Sequence, residues 1–268
     1  MLLQINHRTI YRYDHPVRGV VQSHRLTPSV FDGQKTLNWQ VMVTDGVMGT
    51  GFRDGAGDWV QGWTIAGPLA EIAVNVQGQI ETQDLAGVLR GHREQTPPEA
   101  YLRDSPATRA DGALIDLARI GRGADRLSAA HELSDAIADA IAYRPGATSA
   151  KTTAAEALAQ GEGVCQDHAH VLCAAGRVAG MPVRYISGYL FANAEGEPHE
   201  AAHAWAEVHV PGLGWVGFDP ANRCCPDDRY VRLGSGLDAR EAAPIRGSAR
   251  NMGVESLDVT VAVQAMQQ

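Results

Sequence analysis

The first eighty-five residues carry apolar and polar positions in short alternating runs, which is the pattern of half-buried β-strands. The runs that we interpret as strands cover residues 5–13, 37–43, 59–65 and 72–80. Asp-Gly and His-Pro pairs lie between these runs, and such pairs favour turns, so the strands are expected to be short and antiparallel. Residues 1–90 are therefore predicted to form a β-rich N-terminal domain.

Further along the chain the apolar positions recur at helical spacing before strand-like runs return. Leu133, Ile137 and Ile141 repeat every four residues, and a second helix is expected over 165–179, where Gly180 follows as a stop signal. Strand-like runs follow at 183–191, 203–210, 215–218 and 254–263. The prolines of residues 91–106 indicate a linker, so the second domain is predicted to span residues 107–268, and the fold class is predicted to be α+β.

The composition is that of an ordered globular protein, because 44% of the 268 residues are hydrophobic and 20% are charged. A formal net charge of −8 argues against nucleic-acid binding through phosphate contacts. No apolar run approaches the roughly 18 residues of a membrane span, and the N-terminus lacks the pattern of a signal peptide. We therefore expect a cytoplasmic protein without membrane or nucleic-acid partners, whose four cysteines are free thiols.

Cys165 stands out among these cysteines because it follows Gly161 and Gly163 and is predicted to begin a helix. The first backbone N–H groups of a helix have no intrahelical partner, and the positive end of the helix dipole lies there. Both effects stabilise a thiolate, and the same N–H groups can bind an oxyanion. Cys165 is therefore the candidate nucleophile, whereas Cys173, in the apolar part of the helix, is expected to be a buried packing residue.

A thiol nucleophile requires a base and a group that orients the base. His203 begins one predicted strand, and Asp219 ends the next, with a Pro-Gly-Leu-Gly turn between the two strands. Because the two strands of a hairpin are antiparallel, these side chains are expected to lie at the same end of the hairpin. Together with Cys165 they form a candidate Cys-His-Asp triad.

Two segments, GEGVCQDHAHVLCAAGRVAGMPVRYISGYL and HAWAEVHVPGLGWVGFDPANR, resemble the bacterial transglutaminase-like superfamily over about residues 140–247. The first ninety residues resemble the β-rich N-terminal domain that often precedes this core in bacterial proteins. The resemblance implies a papain-like cysteine core in which helices pack on an antiparallel sheet. It also implies an acyl-enzyme mechanism, with Cys165 as nucleophile, His203 as base and then acid, and Asp219 as orienting group.

The sequence departs from the family pattern near the cysteine, where a C-x-D-F motif is common and this chain has CQDH. A Gly-Arg-Asp triplet is also common near the C-terminal end, where this chain has Gly-Leu-Asp. No acidic loop resembles the calcium sites of animal transglutaminases, so we predict no cofactor and no calcium requirement. The further candidates for contact with the substrate or the oxyanion, each of which packing or helix-start geometry also explains, are Tyr143, Gln166, Asp167 and His168.

A zinc site is an alternative interpretation of the cysteines and histidines. On a helix His170 points away from the face that Cys165 and His168 share, so these residues do not form a common ligand set. Cys224 and Cys225 are adjacent and lack the two-residue spacing of a zinc knuckle. We therefore predict no metal, and the adjacent cysteine pair has no assigned role.

The expected activity is thiol-dependent acyl transfer from a peptide or carboxamide carbonyl. Water as the acceptor makes the protein a cysteine protease or amidase, and a primary amine makes it a protein-glutamine transglutaminase. Because water is abundant, hydrolysis is favoured, and the expected partner is a peptide or protein substrate that carries an amide. The alternative from another functional class is a non-catalytic peptide-binding module, and the presence of all three triad residues argues against it.

Overall fold

The computed structural model describes residues 1–123, 125–191, 202–250 and 253–266. Two long antiparallel strands, β1 (Leu2–His24) and β4 (Trp59–Thr82), form the centre of the N-terminal sheet. β2 (Gln34–Val43) pairs with the C-terminal half of β4, and β3 (Gly46–Arg53) pairs with its N-terminal half. The N-terminal part is thus an antiparallel β-structure, as the sequence predicted.

These strands differ in length from those predicted. β1 continues through the His15-Pro16 pair, where the register with β4 shifts after Arg12, and residues 59–65 and 72–80 belong to one strand rather than two. The prediction of separate short strands was wrong because the apolar alternation breaks at an irregularity that leaves the backbone pairing intact on either side. β3 was not predicted, since most of its residues are exposed and its sequence GVMGTGFR does not alternate.

Four α-helices occur in the described part of the chain, and the first three begin with a side-chain cap. Asp111, Asp125 and Thr153 each accept a backbone N–H from the first helical turn, which satisfies one of its free donors. The described residues contain no helix long and apolar enough to cross a membrane. The helices and the two-residue parallel strand pair between them are α1 (Gly112–Leu117), α2 (Arg126–Ala140), β5 (Ala142–Tyr143), α3 (Ala154–Gln160), β6 (Glu162–Gly163) and α4 (Cys165–Val178).

The second sheet has four strands in the order β10-β7-β8-β9, and every neighbouring pair is antiparallel. Helix α4 packs on one face of this sheet, where its small residues Ala169 and Cys173 and the larger Leu172 share an apolar core with β8 and β9. This arrangement confirms the predicted α+β fold class with helices on an antiparallel sheet. The four strands are β7 (Val183–Leu190), β8 (Ala202–Val210), β9 (Gly214–Phe218) and β10 (Tyr230–Gly236).

The C-terminal segment returns to the N-terminal sheet. β11 (Ile245–Ala249) and β12 (Glu255–Ala265) both pair with β1, so the strand expected over 254–263 adds to the first sheet rather than to the second. The proposed linker also contains ordered contacts, because Tyr101 is buried against Trp215 of β9. The division into residues 1–90, 91–106 and 107–268 stays a prediction, and backbone pairing connects its first and last parts.

A buried network of charged side chains joins the two sheets. Arg232 of β10 donates to Asp58 from the N-terminal part at 2.7 Å and to Glu207 of β8 at 2.8 Å. Asp58 also accepts hydrogen bonds from the backbone and side chain of Ser235, and Glu207 accepts from Arg184. Each of these charges has an opposite partner, as a charge buried this deeply requires. The network fixes the N-terminal sheet against the sheet that carries His203.

Candidate active site

Cys165 is the first residue of α4 and is half-buried. Val164, which precedes it, has no side chain that can cap the helix, so the first N–H groups of α4 depend on other partners. Asp167 Oδ2 accepts the backbone N–H of Val164 at 2.8 Å and the hydroxyl of Thr148 at 2.6 Å. A β-carbon on Gly163 would lie 2.7 Å from the Asp167 side chain, so only glycine fits beside this contact. Gly163 and Asp167 therefore set the position from which Cys165 starts the helix.

His203 and Asp219 lie at the same end of the β8–β9 hairpin, as the sequence predicted. His203 Nε2 donates to Asp219 Oδ2 at 2.6 Å, and both side chains are buried. The indole of Trp205 stacks beside the imidazole with the ring centroids 6.3 Å apart. Because Asp219 occupies Nε2, the other ring nitrogen, Nδ1, is the one available to a thiol.

Cys165 lies close enough to His203 to act on its pKa, and Asn222 Nδ2 lies 3.3 Å from His203 Nε2. Burial alone would lower the pKa of His203, but the hydrogen bonds and negative charge of Asp219 and Cys165 outweigh burial and raise that pKa to about 10. Burial alone would raise the pKa of Asp219, whereas donation from His203, Asn222 and Tyr230 holds it below its usual value. The structure thus brings the three predicted residues together. Their arrangement favours a protonated His203 beside an ionised Asp219.

Two residues that the sequence analysis missed also contact Asp219. Asn222 Nδ2 donates to Asp219 Oδ2 at 2.7 Å, and the Tyr230 hydroxyl donates to the same oxygen at 2.8 Å. Asn222 lies in the turn directly after Asp219, so an Asx-type turn signal was available in the sequence. Tyr230 comes from β10, a strand that the hydrophobic pattern did not predict, and nothing local pointed to its contact.

The other predicted site residues surround the start of α4. His168 is buried, with each ring nitrogen 3.0 Å from a carbonyl oxygen, one of Val164 and one of Ile141. Tyr143 is exposed, and its ring centroid lies 6.4 Å from that of His168. Gln166 is half-buried at the second position of the helix. His168 therefore links α4 to the segment before β5, and contact of these residues with a substrate stays a prediction.

The remaining cysteines have different surroundings. Cys173 is fully buried, which raises the pKa of its thiol to about 11. Cys224 is half-buried 3.3 Å from the Tyr230 hydroxyl, and burial raises the pKa of its thiol as well. Burial, followed by the neighbouring Cys224, raises the pKa of Cys225 to about 11. Among the described residues no group of three or more His, Cys, Asp or Glu side chains is arranged to hold a metal ion.

Comparison with known proteins gives two family matches and several relatives. Residues 3–81 match the bacterial transglutaminase-like N-terminal region, and residues 117–220 match the core of the transglutaminase-like superfamily. An uncharacterised Mycobacterium leprae protein is 27% identical over 97% of this chain and 98% of its own length. An uncharacterised Mycobacterium bovis protein is 36% identical over 49% of this chain, and the match covers 45% of that protein.

A solved structure shares the fold over the whole chain. The crystal structure of a candidate cysteine protease from Cytophaga hutchinsonii aligns with a TM-score of 0.70, at 20% identity, over 100% of this chain and 91% of that one. The similarity supports the α+β architecture with a papain-like core. With both of its parts matched in the expected order, the chain belongs to the transglutaminase-like superfamily and carries the bacterial transglutaminase-like N-terminal region.

Proposed function

We propose that this protein is a thiol-dependent acyl-transfer enzyme that acts on a peptide or carboxamide carbonyl. Cys165 is the nucleophile, His203 carries the proton, and Asp219 orients His203. The observation that carries the proposal is the 2.6 Å hydrogen bond from His203 to Asp219, with Cys165 beside His203 at the first position of helix α4. Thiol, imidazole and carboxylate in this order form a nucleophile, a base and an orienting group.

The first half of the reaction forms a thioester. The Cys165 sulfur attacks the carbonyl carbon after its proton has passed to His203, and the oxygen of the tetrahedral intermediate takes up the negative charge. The free N–H groups at the start of α4 are suitable donors to that oxygen. The carbon–nitrogen bond then breaks, and His203 gives its proton to the leaving ammonia or amine.

The second half releases the acyl group from Cys165. Water gives a proton to His203 and attacks the thioester carbon, the carbon–sulfur bond breaks, and the proton returns to sulfur. A primary amine in place of water would yield a new amide by the same steps. We favour hydrolysis because water is always present at high concentration. The substrate is therefore proposed to be a peptide or protein that carries an amide.

The test compares Cys165→Ala with Cys225→Ala as a matched control, since both remove one half-buried thiol. Each protein is incubated with a peptide library and with a glutamine peptide, in the presence and absence of a primary amine, and the products are identified by mass spectrometry. Cys165→Ala should lose about a thousandfold or more of the activity, and Cys225→Ala should retain it. Full activity in Cys165→Ala would refute the mechanism, and amide products formed with the added amine would establish transfer rather than hydrolysis.

A further inference from the structure

One oxygen of Asp219 receives three donors. His203 Nε2 lies 2.6 Å from Oδ2, Asn222 Nδ2 lies 2.7 Å from it, and the Tyr230 hydroxyl lies 2.8 Å from it. The second oxygen, Oδ1, accepts the backbone N–H of Asn222 at 3.3 Å. A carboxylate oxygen has two lone pairs, so three donors from separate directions leave the group little freedom to rotate.

Tyr230 contacts Asp219 from a strand at the opposite edge of the sheet. β10 and β9 are the two outer strands in the order β10-β7-β8-β9, and Tyr230 contacts residues of β8, which lies between them. Its ring packs edge-on against Trp205 with the centroids 5.4 Å apart, and it lies 5.9 Å from the centroid of His203. Packing therefore fixes the direction of the buried Tyr230 hydroxyl.

The hydrogen bond between the Tyr230 hydroxyl and Asp219 can run in only one direction. Asp219 is held in its ionised form, and an ionised carboxylate only accepts hydrogen bonds, so Tyr230 must donate to it. The hydroxyl oxygen then remains free to accept from the Cys224 thiol, 3.3 Å away. The contacts therefore run from Cys224 through Tyr230 to Asp219 and on to His203.

We propose that Tyr230 and Asn222 are positioning residues, which hold the Asp219 carboxylate in the orientation that His203 requires for acyl transfer at Cys165. This inference rests on the proposed function. It assigns a role to a residue of β10 and to one in the turn after β9, both of which contact Asp219, and Asn222 Nδ2 also lies 3.3 Å from His203 Nε2. It also gives Cys224 a place, as the outer neighbour of Tyr230.

A positioning role for Tyr230 and Asn222 affects the pH at which His203 loses its proton, which a purely structural role would not. Donors to a carboxylate share its negative charge, so removal of one donor strengthens the hold of Asp219 on the His203 proton. His203 should then keep its proton to higher pH. Because the carboxylate is also less firmly oriented, the His203–Cys165 pair should react more slowly at its optimum.

The experiment measures the rate at which iodoacetate alkylates Cys165 in the full chain between about pH 6 and pH 12, by peptide mass spectrometry. This anionic reagent is attracted to the imidazolium, so the rate falls when His203 loses its proton. The variants are Tyr230→Phe and Asn222→Ala. The matched control is Tyr189→Phe, which removes an equally buried hydroxyl that bonds His7 at 2.7 Å, outside the site.

Tyr230→Phe should move the alkaline limb of the profile up by about half a pH unit or more and slow the optimum rate by about threefold or more. Asn222→Ala should act in the same direction, and since Asn222 is exposed this variant is expected to fold even if Tyr230→Phe does not. Tyr189→Phe should keep the wild-type limb.

Wild-type limbs and rates in both variants, with a fast-reacting Cys165 in the parent protein, would overturn the positioning role alone. An equal shift in Tyr189→Phe would overturn it too, because the effect would then follow from loss of any buried hydroxyl. A parent protein in which Cys165 reacts no faster than Cys224 would instead overturn the proposed function, and the positioning role with it.

Discussion

At the scale of single residues, Gly163 is important because the absence of a β-carbon leaves room for the Asp167 side chain. Its position allows the Asp167 carboxylate to fold back onto the backbone N–H of Val164, which is the turn from which Cys165 starts α4. A β-carbon would meet Asp167 Cβ and Oδ2 at 2.7 Å, closer than β-carbons in folded proteins approach non-bonded atoms. The placement of the thiol therefore depends on a residue with no chemistry of its own.

Gly163→Ala should consequently destabilise the protein by about 1–3 kcal/mol, because the Asp167 side chain or the helix start must shift to admit the methyl group. Urea unfolding gives the free energy, and the alkylation rate of Cys165 should fall in parallel. Gly112→Ala is the matched control, since a β-carbon there meets nothing within 4 Å at the start of α1. Equal unfolding midpoints for Gly163→Ala and the parent protein would contradict the argument.

The residues of the candidate site were predictable to the extent that their signals are local. Cys165 follows two glycines, and His203 and Asp219 flank one hairpin, so neighbouring residues along the chain pointed to each of them. Tyr230 contacts Asp219 although β10 and β9 occupy opposite edges of one sheet. A contact of that kind depends on the order of strands, which hydrophobic periodicity does not contain.

At the scale of elements, helix α4 and the strands β7, β8 and β9 were predicted more closely than the long strands of the N-terminal sheet. α4 was expected over 165–179 and spans Cys165–Val178, because glycine stop signals and apolar spacing both act within one turn. β1 and β4 were each expected to be shorter, since pairing between two long strands continues across an irregularity that breaks the alternation. The return of β12 to β1 joins the two ends of the chain, and no local pattern encodes such a pairing.

The side chain of Arg177 connects the C-terminal end of α4 to the surrounding segments. The buried Arg177 donates to the carbonyl oxygens of Tyr101, Val183 and Leu237 at 2.8 to 3.0 Å, and to the hydroxyl of Thr108 at 2.7 Å. Arg177→Met keeps most of the apolar stem but leaves these acceptors unpaired, which should cost about 3 kcal/mol or more in urea unfolding.

The matched control for this substitution is Arg126→Met, because Arg126 donates a single exposed hydrogen bond to the carbonyl of Gly180 near the same end of α4. Its effect should stay within about 0.5 kcal/mol. Similar losses in the two variants would show that α4 is held by apolar packing and that the buried guanidinium contributes little.

At the scale of the whole molecule, polar groups are buried where the N-terminal sheet meets the second sheet. His7 of β1 lies 2.7 Å from the Tyr189 hydroxyl of β7, and its other ring nitrogen contacts Thr9 at 2.8 Å. His24, at the end of β1, contacts Gln22 at 2.9 Å and packs beside the ring of Trp63. None of these partners carries a charge, so the two histidines are accommodated in their neutral forms.

Lower pH should therefore decrease the free energy of unfolding through these two histidines. Burial lowers the pKa of His7 to about 4, and burial followed by the proximity of His7 lowers the pKa of His24 to about 4, whereas an unfolded histidine titrates near 6.5. Between these values the unfolded chain binds more protons than the folded one, so the free energy of unfolding decreases as the pH falls from about 6.5 towards 4.

The raised pKa of His203 acts in the opposite sense but only above about pH 6.5. The lowered pKa values of Asp58, Glu207 and Asp219 act only below about pH 4.5. Urea unfolding between about pH 4.5 and 6.5 thus isolates the buried histidines, and His7 and His24 should each contribute up to about 3 kcal/mol across the full transition. The double variant His7→Gln/His24→Gln should flatten this dependence substantially, and what remains should come from His92, His170 and His209, whose pKa values burial also lowers. An unchanged slope in the double variant would mean that the junction of the two sheets does not sense pH through these residues.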